Sequence, residues 1–236
     1  FRARVIFDLW FFKHTILAQK WFDFYWFWNK KNSDTYTEIQ QTGEERAFVL
    51  GYPLKPFEKN AEERNMSVLF TGYRLKFDEE EEYRKYYNMV NDVYLICRRI
   101  GIPFRFKPHS PDKEAGHISK YVLPEMEQVN DFYGELRKNY IVMGSRTSAL
   151  VEAGAIGNYV IQIAFDPEYI KHYVWEHTWL VEDYDLELEP LIRAIMKGEV
   201  KPKKLSPYEF DQPDDLLQRF NEGLEQIERY YARDTN

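Results

Sequence analysis

The sequence predicts an α/β fold in which a parallel β-sheet carries helices on both of its faces. Apolar β-branched runs alternate with amphipathic helical patterns over most of the chain, an order that is typical of parallel sheets. In residues 140–163 a strand ends at Gly144, a hydroxyl-rich turn and a helix rich in small residues follow, and a second strand begins at Tyr159. An aromatic-rich N-terminal segment precedes this part of the chain and is predicted to be helical.

The individual elements are predicted from apolar periodicity and from the residues that end each one. A strand over 67–71 ends at Gly72, and Gly101 ends the helix that follows it. That helix has apolar residues at helical spacing: Tyr83, Tyr86, Val90, Val93, Cys97 and Ile100. The later elements are a strand over 103–107, a helix over 129–138, a strand over 140–143, a helix over 147–156, strands over 159–163 and 179–181, and a helix over 189–197.

Composition divides the chain into two predicted domains. Residues 30–41 are polar, and residues 53–65 are rich in proline and charged residues, which is typical of linkers. We place the boundary at the second stretch. The aromatic-rich segment and its linker then occupy 1–52, and an α/β domain with C-terminal helices occupies 53–236. Because the chain opens at Phe1 and not at methionine, we expect it to be part of a longer protein.

Charge and cysteine content exclude several classes of protein. The 236 residues carry a net charge of −7, and nucleic acid is therefore not an expected partner, because phosphate neutralisation needs a basic face. Cys97 is the single cysteine, which leaves no disulfide framework and no cysteine-rich metal site. Charged residues interrupt residues 5–28 too often for a membrane-spanning helix. These features predict a cytoplasmic protein.

The aromatic residues of the N-terminal segment exceed what one helix face can bury. They are Trp10, Phe11, Phe12, Trp21, Phe22, Phe24, Tyr25, Trp26, Phe27 and Trp28. Large exposed apolar patches usually mark an interface. We therefore expect residues 5–28 to dock on a missing domain, on a second copy of the chain, or peripherally on the inner face of the membrane. An ordinary helix buried in its own domain is the alternative.

Candidate functional residues follow three of the predicted strands. Gly72, His109 and Ser145 lie just after strand ends, and the carboxyl ends of parallel strands meet at one edge of the sheet. Residues 145–148 read Ser-Arg-Thr-Ser, which places three hydroxyls, an arginine and backbone N–H groups before a helix, where anions bind. Plain helix capping is the alternative, because Ser and Thr are preferred N-cap residues. We expect a phosphate at this edge.

These motifs resemble the C-terminal, donor-binding half of GT-B glycosyltransferases. In chain order they are a strand that ends in glycine, Lys107-Pro108-His109, Leu123-Pro124-Glu125 and Ser145-Arg146-Thr147-Ser148. They are similar to the Lys-x-His-Pro and Ser-Ser signatures of bacterial sialyltransferases, polysialyltransferases and related capsule or lipopolysaccharide enzymes that use CMP-activated sugars. Here the first reads Lys-Pro-His-Ser and the second Thr-Ser, so each departs by one residue. The resemblance covers about residues 48–200.

The resemblance implies a Rossmann-like domain that forms one half of a GT-B fold. It further implies a metal-independent glycosyltransferase that moves a sugar from a nucleotide-activated donor, expected to be CMP-linked, to a cell-surface glycan, with no cofactor. His109 would act catalytically at the donor phosphate, and Glu125 or Glu127 would hold the ribose hydroxyls. The other implied donor-binding residues are Lys107, Gly72, Ser145, Arg146, Thr147 and Ser148. The acceptor half would be absent or reduced to the N-terminal segment.

The same chemistry follows from the residue types. Cleavage of a sugar–phosphate bond builds negative charge on the leaving phosphate, and His109 can supply a proton while Lys107 supplies a fixed charge. A histidine that merely packs in its loop is the alternative. The chain lacks the Gly-x-Ser-x-Gly elbow of serine hydrolases and the glycine fingerprint of dinucleotide-binding oxidoreductases. A nucleotide-sugar epimerase, a polyol-phosphate transferase of teichoic-acid type and a non-catalytic nucleotide- or protein-binding module remain open.

Overall fold

Two groups of residues form separate compact units in the computed structural model. It describes residues 3–6, 24–27, 29–40, 46–51, 64–72, 80–114, 116–145, 147–165, 174–208, 210–211 and 215–234. The smaller unit comprises Phe1–Phe57 and Ser206–Asn236, and the larger comprises Glu58–Leu205. This grouping places the last helix with the N-terminal segment, whereas the sequence analysis assigns the C-terminal helices to the α/β domain.

The described residues form the following elements. The strands are β1 (Ala3–Ile6), β2 (Phe24–Phe27), β3 (Ala47–Val49), β4 (Asn65–Thr71), β5 (Phe104–Lys107), β6 (Glu127–Gln128), β7 (Asn139–Gly144), β8 (Tyr159–Ile163) and β9 (Trp179–Val181). The helices are α1 (Lys30–Gln40), α2 (Glu80–Arg99), α3 (Ser110–Glu114), α4 (His117–Tyr121), α5 (Phe132–Lys138), α6 (Ala149–Ala155), α7 (Tyr184–Met196) and α8 (Leu216–Asp234).

The larger unit is built around a parallel sheet. Its strand order is β6-β5-β4-β7-β8-β9, and every adjacent pair is parallel. The first of these strands in the chain, β4, lies in the middle, with β5 and β6 on one side and the three later strands on the other. This is the doubly wound order of a Rossmann-like sheet. The predicted α/β fold, a parallel sheet flanked by helices, is confirmed.

Most of the predicted elements in this unit lie within a few residues of the observed ones. β8 and β9 have the predicted bounds. Helix α7 begins at Tyr184 and not at residue 189, because the side chain of Asp183 accepts hydrogen bonds from two backbone N–H groups and caps the helix there. Pro190 consequently lies inside α7. The short elements α3, α4 and β6 are not predicted from the sequence.

Helix α2 supplies a large part of the core of the larger unit. Its predicted periodicity is confirmed, with Tyr86, Val90, Val93 and Cys97 buried and Tyr83 and Ile100 partly buried. Acidic residues lie in its first turn and Arg98 and Arg99 in its last, which complements the helix dipole. Burial raises the pKa of the Cys97 thiol to about 12. A thiol with such a pKa is not a reactive nucleophile.

The smaller unit corrects the prediction of a helical N-terminal segment. Ala3–Ile6 and Phe24–Phe27 are strands, and β2 pairs in parallel with both β1 and β3. A short apolar run fits either helix or strand by periodicity alone, and pairing on both edges favours the extended form for aromatic residues. Residues 7–23 and the linker residues 52–63 lie outside the described residues.

Two aromatic side chains of this segment are covered within the chain. Trp26 is 6% exposed and Phe27 is 0% exposed. The ring centroid of Trp26 lies 4.7 Å from that of Phe220 on α8 and 6.5 Å from that of Phe48 on β3. Only the backbone of Phe24 and Tyr25 is described. The remaining aromatic residues that motivate a docking surface lie outside the described part of the chain: Trp10, Phe11, Phe12, Trp21, Phe22 and Trp28. A docking partner for residues 5–28 stays a prediction.

Helices α2 and α8 contain 20 and 19 residues, and charged residues recur along both. No helix in the described part of the chain combines the length and the apolar character that crossing a membrane requires.

Candidate functional site

A cavity lies at the carboxyl edge of the parallel sheet of the larger unit. The strand order reverses between β4 and β7, and ligands of such sheets bind in the crevice that this reversal creates. The cavity measures about 290 Å³, near the lower end of the range for small-molecule sites. Its lining residues are Thr71, Gly72, Lys107, Pro108, His109, Phe132, Tyr133, Thr147, Ser148, Ala149 and Glu152.

The structure brings five of the predicted site residues together around this cavity. They are Gly72, Lys107, His109, Thr147 and Ser148. They follow or end three different strands, as the parallel topology predicts, because the carboxyl ends of β4, β5 and β7 meet at this edge. Ser145, Glu125 and Glu127 are not among the lining residues. Arg146 lies outside the described residues.

Gly72 allows the loop after β5 to approach β4 closely. Its backbone N–H donates to the carbonyl oxygen of Lys107 at 2.8 Å. A Cβ atom at this position would lie 3.1 Å from the backbone nitrogen of His109 and 3.3 Å from that carbonyl oxygen. Both neighbours are backbone atoms, which cannot rotate aside. A side chain at position 72 would therefore push the His109 loop out of place.

The end of β5 supplies the cationic side of the cavity. The half-buried Lys107 donates from Nζ to the carbonyl oxygen of Pro108 at 2.9 Å. Burial lowers the pKa of Lys107, and the positive charge of Lys113 lowers that pKa further. The carbonyl oxygen of His109 accepts from the backbone N–H groups of Asp112 and Lys113 at 3.1 and 3.3 Å. These bonds tie the loop to α3 and hold His109 at the cavity wall.

The turn between β7 and α6 supplies hydroxyl groups. The side-chain oxygen of Thr147 accepts a hydrogen bond from the backbone N–H of Ala149 at 3.3 Å. Helix capping therefore accounts for the hydroxyl of Thr147. Ser148 occupies the N-cap position itself, with φ −61° and ψ −19°, but its side chain makes no capping hydrogen bond. Ser148 is exposed and lines the cavity. Capping therefore does not account for its hydroxyl.

Ser145 supports the turn and does not line the cavity. It is 1% exposed, and its carbonyl oxygen accepts from the side-chain amide of Gln162 on β8 at 3.1 Å. Its hydroxyl is buried and has no hydrogen-bond partner among the described residues. Ser145 comes directly after β7 and is still covered by neighbouring elements. The structure therefore does not support direct contact between Ser145 and a ligand.

The two predicted ribose-binding carboxylates lie away from the cavity lining. Glu125 and Glu127 are exposed, and each contacts an arginine. The carboxylate of Glu125 lies 3.6 Å from Arg98, and that of Glu127 accepts from Nε of Arg105 on β5 at 2.9 Å. The reason is topological, since Glu127 belongs to the edge strand β6, beyond β5. The geometry does not favour either residue for the ribose.

Six lining residues are not among the predicted site residues, and three of these carry an aromatic ring or a carboxylate: Phe132, Tyr133 and Glu152. Glu152 is 8% exposed on α6. The pKa of Tyr133 is raised by burial first and by the negative charge of Glu152 second. A signal for Glu152 was present, since it is a charged residue within the small and apolar run of residues 149–156, one helical turn after Ser148.

The cavity thus combines groups of opposite chemical character. Lys107, His109 and the hydroxyl of Ser148 all line the cavity and suit an anion. The carboxylate of Glu152 disfavours an anion next to it but accepts hydrogen bonds from neutral hydroxyls. Phe132 and Tyr133 add aromatic surface. An elongated ligand with an anionic part and a hydroxyl-bearing part satisfies all of these groups.

Among the residues that the structure describes, no group of three or more His, Cys, Asp or Glu side chains could hold a metal ion.

Comparisons with known proteins identify structural neighbours. No family model and no curated protein matches the chain. UDP-GlcNAc 2-epimerase from Methanocaldococcus jannaschii, in complex with UDP-GlcNAc and UDP, is similar with a TM-score of 0.62 and 13% identity over 89% of this chain and 63% of that one. Anabaena HepE in complex with UDP-glucose has a TM-score of 0.54 and 11% sequence identity, and the match covers 96% of this chain and 72% of that one. A variant of the wall teichoic acid polymerase TagF has a TM-score of 0.51 and 12% sequence identity, and the match covers 90% of this chain and 59% of that one.

These likenesses establish the fold. The chain spans 63% of the length of the M. jannaschii epimerase, and sequence identities of 11 to 13% carry no information about which substrate is bound. The larger unit has the Rossmann-like α/β architecture of one half of a GT-B fold, as the sequence predicts. Two of these structural neighbours, the M. jannaschii epimerase and Anabaena HepE, are complexes with UDP-sugars.

The close approach at Gly72 makes a stability prediction. Replacing Gly72 by alanine should lower the free energy of unfolding by about 1–3 kcal/mol, because the added Cβ meets backbone atoms. Gly72→Val should lower the free energy of unfolding further, because the larger side chain clashes with more of the neighbouring backbone. Urea denaturation monitored by circular dichroism measures both losses. Wild-type stability in both variants would show that the contact between β4 and the His109 loop does not constrain the structure.

Proposed function

We propose that the larger unit binds a nucleotide-activated sugar and that the chain belongs to a metal-independent glycosyltransferase. The observation that carries this proposal is the cavity at the reversal point of the sheet, where Lys107, His109 and Ser148 converge. Ligand sites of doubly wound sheets lie at this position. The fold shared with nucleotide-sugar enzymes supports the same ligand class.

The phosphate of the donor is assigned to the cationic side of the cavity. As the bond between sugar and phosphate breaks, negative charge develops on the leaving nucleotide, and groups that are already in place lower the barrier. Lys107 offers a fixed positive charge and His109 a proton for the leaving oxygen. The hydroxyls of Thr147 and Ser148 offer neutral hydrogen-bond donors. His109 is therefore the catalytic residue of the proposal.

The nucleoside is assigned to Glu152 and Phe132, which also line the cavity. The carboxylate of Glu152 would repel a phosphate, but it can accept hydrogen bonds from the adjacent hydroxyls of a ribose, the role of acidic residues in other nucleotide sites of this architecture. Glu152 thus takes the role that the sequence analysis gave to Glu125 or Glu127. The ring of Phe132 offers an apolar surface to the base.

The donor is proposed to be CMP-linked, on the strength of the Lys107-Pro108-His109 and Thr147-Ser148 motifs. The structural neighbours carry UDP, UDP-GlcNAc or UDP-glucose, so a UDP-linked donor is the competing proposal. A CMP-linked donor leaves a nucleoside monophosphate and a UDP-linked donor leaves a diphosphate, which carries one more charged group. A binding screen with CMP, CDP, UDP and GDP therefore distinguishes the two proposals. The acceptor is proposed to be a cell-surface glycan.

A second candidate is a nucleotide-sugar epimerase or a polyol-phosphate transferase. The structural likeness to the M. jannaschii epimerase and to TagF favours these classes. Products distinguish the candidates. Transfer of a radiolabelled sugar to a glycan identifies a glycosyltransferase, transfer of a polyol phosphate identifies the TagF-like reaction, and solvent deuterium incorporated into the donor sugar identifies an epimerase. A module without catalysis would bind nucleotide and form none of these products.

His109→Ala is the sharpest test of the proposed phosphate site. A nucleotide at about 100 times its dissociation constant should stabilise the wild-type chain by about 2.7 kcal/mol in a thermal-shift measurement. Replacing His109 by alanine should reduce that shift, and turnover should fall about 10²-fold or more, as for a lost proton donor or phosphate contact.

His117→Ala is the matched control for this histidine. His117 stacks on Tyr83 with 4.2 Å between ring centroids and lies outside the cavity lining, so its loss should leave nucleotide affinity unchanged. Equal affinity and turnover in His109→Ala and wild type would remove His109 from the site. Binding of UDP without CMP would contradict the CMP-linked donor and leave the site assignment intact.

Metal independence is a separate expectation. Lys107 and His109 supply positive charge at the position where some glycosyltransferases place a divalent ion. Nucleotide affinity and turnover should therefore survive excess EDTA without change. A loss of activity with EDTA that Mg²⁺ or Mn²⁺ restores would contradict the proposed phosphate site, since cationic side chains and a divalent ion would compete for one phosphate.

A further inference from the structure

A buried carboxylate follows His109 in the chain and has no part in the reaction proposed above. Asp112, on α3, is 4% exposed and lies outside the cavity lining. The hydroxyl of Tyr87 on α2 donates to Oδ2 of Asp112 at 3.2 Å. We propose that Tyr87 and Asp112 are positioning residues that hold His109 at the cavity wall, where it meets the phosphate of the ligand. This inference rests on the proposed function of the cavity.

Helix α3 is too short to hold His109 by itself. It has five residues, and helices of this length are unstable in isolation. Its first turn nevertheless carries the bonds to His109, because the backbone N–H groups of Asp112 and Lys113 donate to the carbonyl oxygen of His109. Contacts from outside α3 must therefore keep this turn, and with it the histidine, in place.

Tyr87 connects α3 to the core of the larger unit. It is 1% exposed and belongs to the 20-residue helix α2. Its ring stacks on that of Tyr121, with 6.0 Å between centroids and 8° between planes. It also meets the ring of Phe106 on β5 edge to face, with 6.4 Å between centroids. A ring packed on several sides has little freedom to move, so the hydroxyl that it carries toward Asp112 has a fixed place.

Stability alone does not account for this pair. A buried carboxylate has lost its water, and two well-packed apolar side chains in place of a buried polar pair are often equally stable or more so. Apolar contacts are non-directional, whereas a hydrogen bond has a preferred distance and angle. The pair therefore favours a role in geometry, and the turn that it fixes is the one bonded to His109.

The position of His109 is thus set from two separate elements. The close approach of Gly72, at the end of β4, limits the backbone of His109 on one side. The hydrogen bond from Tyr87 to Asp112 limits the turn that follows it. A contact to phosphate needs this precision, because a displacement of about 1 Å is enough to lose a productive geometry.

The test compares Tyr87→Phe with the wild-type chain by isothermal titration calorimetry. The probes are CMP and cytidine, with UDP and uridine run in parallel, so the ratio of the nucleoside to the nucleotide dissociation constant measures the contribution of the phosphate. In the variant the dissociation constant of the nucleotide should rise about tenfold, the scale of one weakened hydrogen bond to a charged group. That of the nucleoside should change less than about twofold, and the ratio should fall accordingly.

Further variants separate positioning from a structural role. Tyr184 on α7 donates to the carboxylate of Asp92 on α2, also at 3.2 Å, and neither residue lines the cavity, so Tyr184→Phe should leave the ratio unchanged. Asp112→Ala should lower the ratio as Tyr87→Phe does, which gives a second route if one variant fails to fold. In the Asp112→Ala background, Tyr87→Phe should cause no further loss of nucleotide affinity, because the tyrosine acts through the carboxylate.

A measurement without nucleotide reports on the histidine itself. The ring signals of His109 in a nuclear magnetic resonance spectrum are identified by their absence from His109→Ala. They should shift in ligand-free Tyr87→Phe and keep their positions in Tyr184→Phe.

The outcomes are distinct. An unchanged ratio with unmoved His109 signals in a folded Tyr87→Phe chain would show that the hydrogen bond does not position the histidine. An equal loss of affinity for nucleotide and nucleoside would mark Tyr87 as structural. Either result overturns the inference and leaves nucleotide binding in place. Failure of the wild-type chain to bind CMP or UDP would overturn the proposed function and this inference with it.

Discussion

The pairing of β4 along both of its edges is the constraint on which the candidate site depends. Thr71 pairs with Lys107 on one side and with Gly144 on the other, so the segments that follow these residues leave the sheet at the same level. Shifting either register by one residue would turn the side chains of that strand to the opposite face. The buried run of Val68, Leu69 and Phe70, each 0% exposed, resists such a shift, because these residues pack on both faces of the sheet.

The cavity that results draws its groups from three parts of the chain. Its cationic side comes from the loop after β5, its hydroxyls come from the turn after β7, and its carboxylate comes from the first turn of α6. A ligand with charge at one end and hydroxyls at the other is favoured in one orientation, since reversal would bring phosphate to Glu152. A nucleotide has this distribution, which is why the proposal names a nucleotide and not a simple phosphate. The aromatic residues at the start of α5 complete the site.

Much of the fold and part of the site could be predicted from the sequence. Strand ends at Gly72 and Gly144 were visible because apolar β-branched runs stop there, and the parallel topology then places Lys107, His109, Thr147 and Ser148 at one edge. Glu125 lies outside the cavity lining, and its short motif carries no information on its distance from the sheet edge. Glu152 and Tyr133 are not predicted, because their place at the cavity depends on how α5 and α6 pack, and no local pattern encodes the packing of separate elements. The N-terminal strands were missed because a four-residue aromatic run fits helix and strand alike.

The central claim is that a nucleotide phosphate lies against His109 and Ser148 while its ribose lies against Glu152. A crystal structure of the chain soaked with CMP, or with UDP if calorimetry favours it, tests this claim most directly. The account predicts phosphate oxygens within about 3 Å of a side-chain nitrogen of His109 and of the hydroxyl of Ser148, and ribose hydroxyls at hydrogen-bond distance from the Glu152 carboxylate. Nucleotide density at another place on the chain, with this cavity holding only water at a saturating concentration, would contradict it.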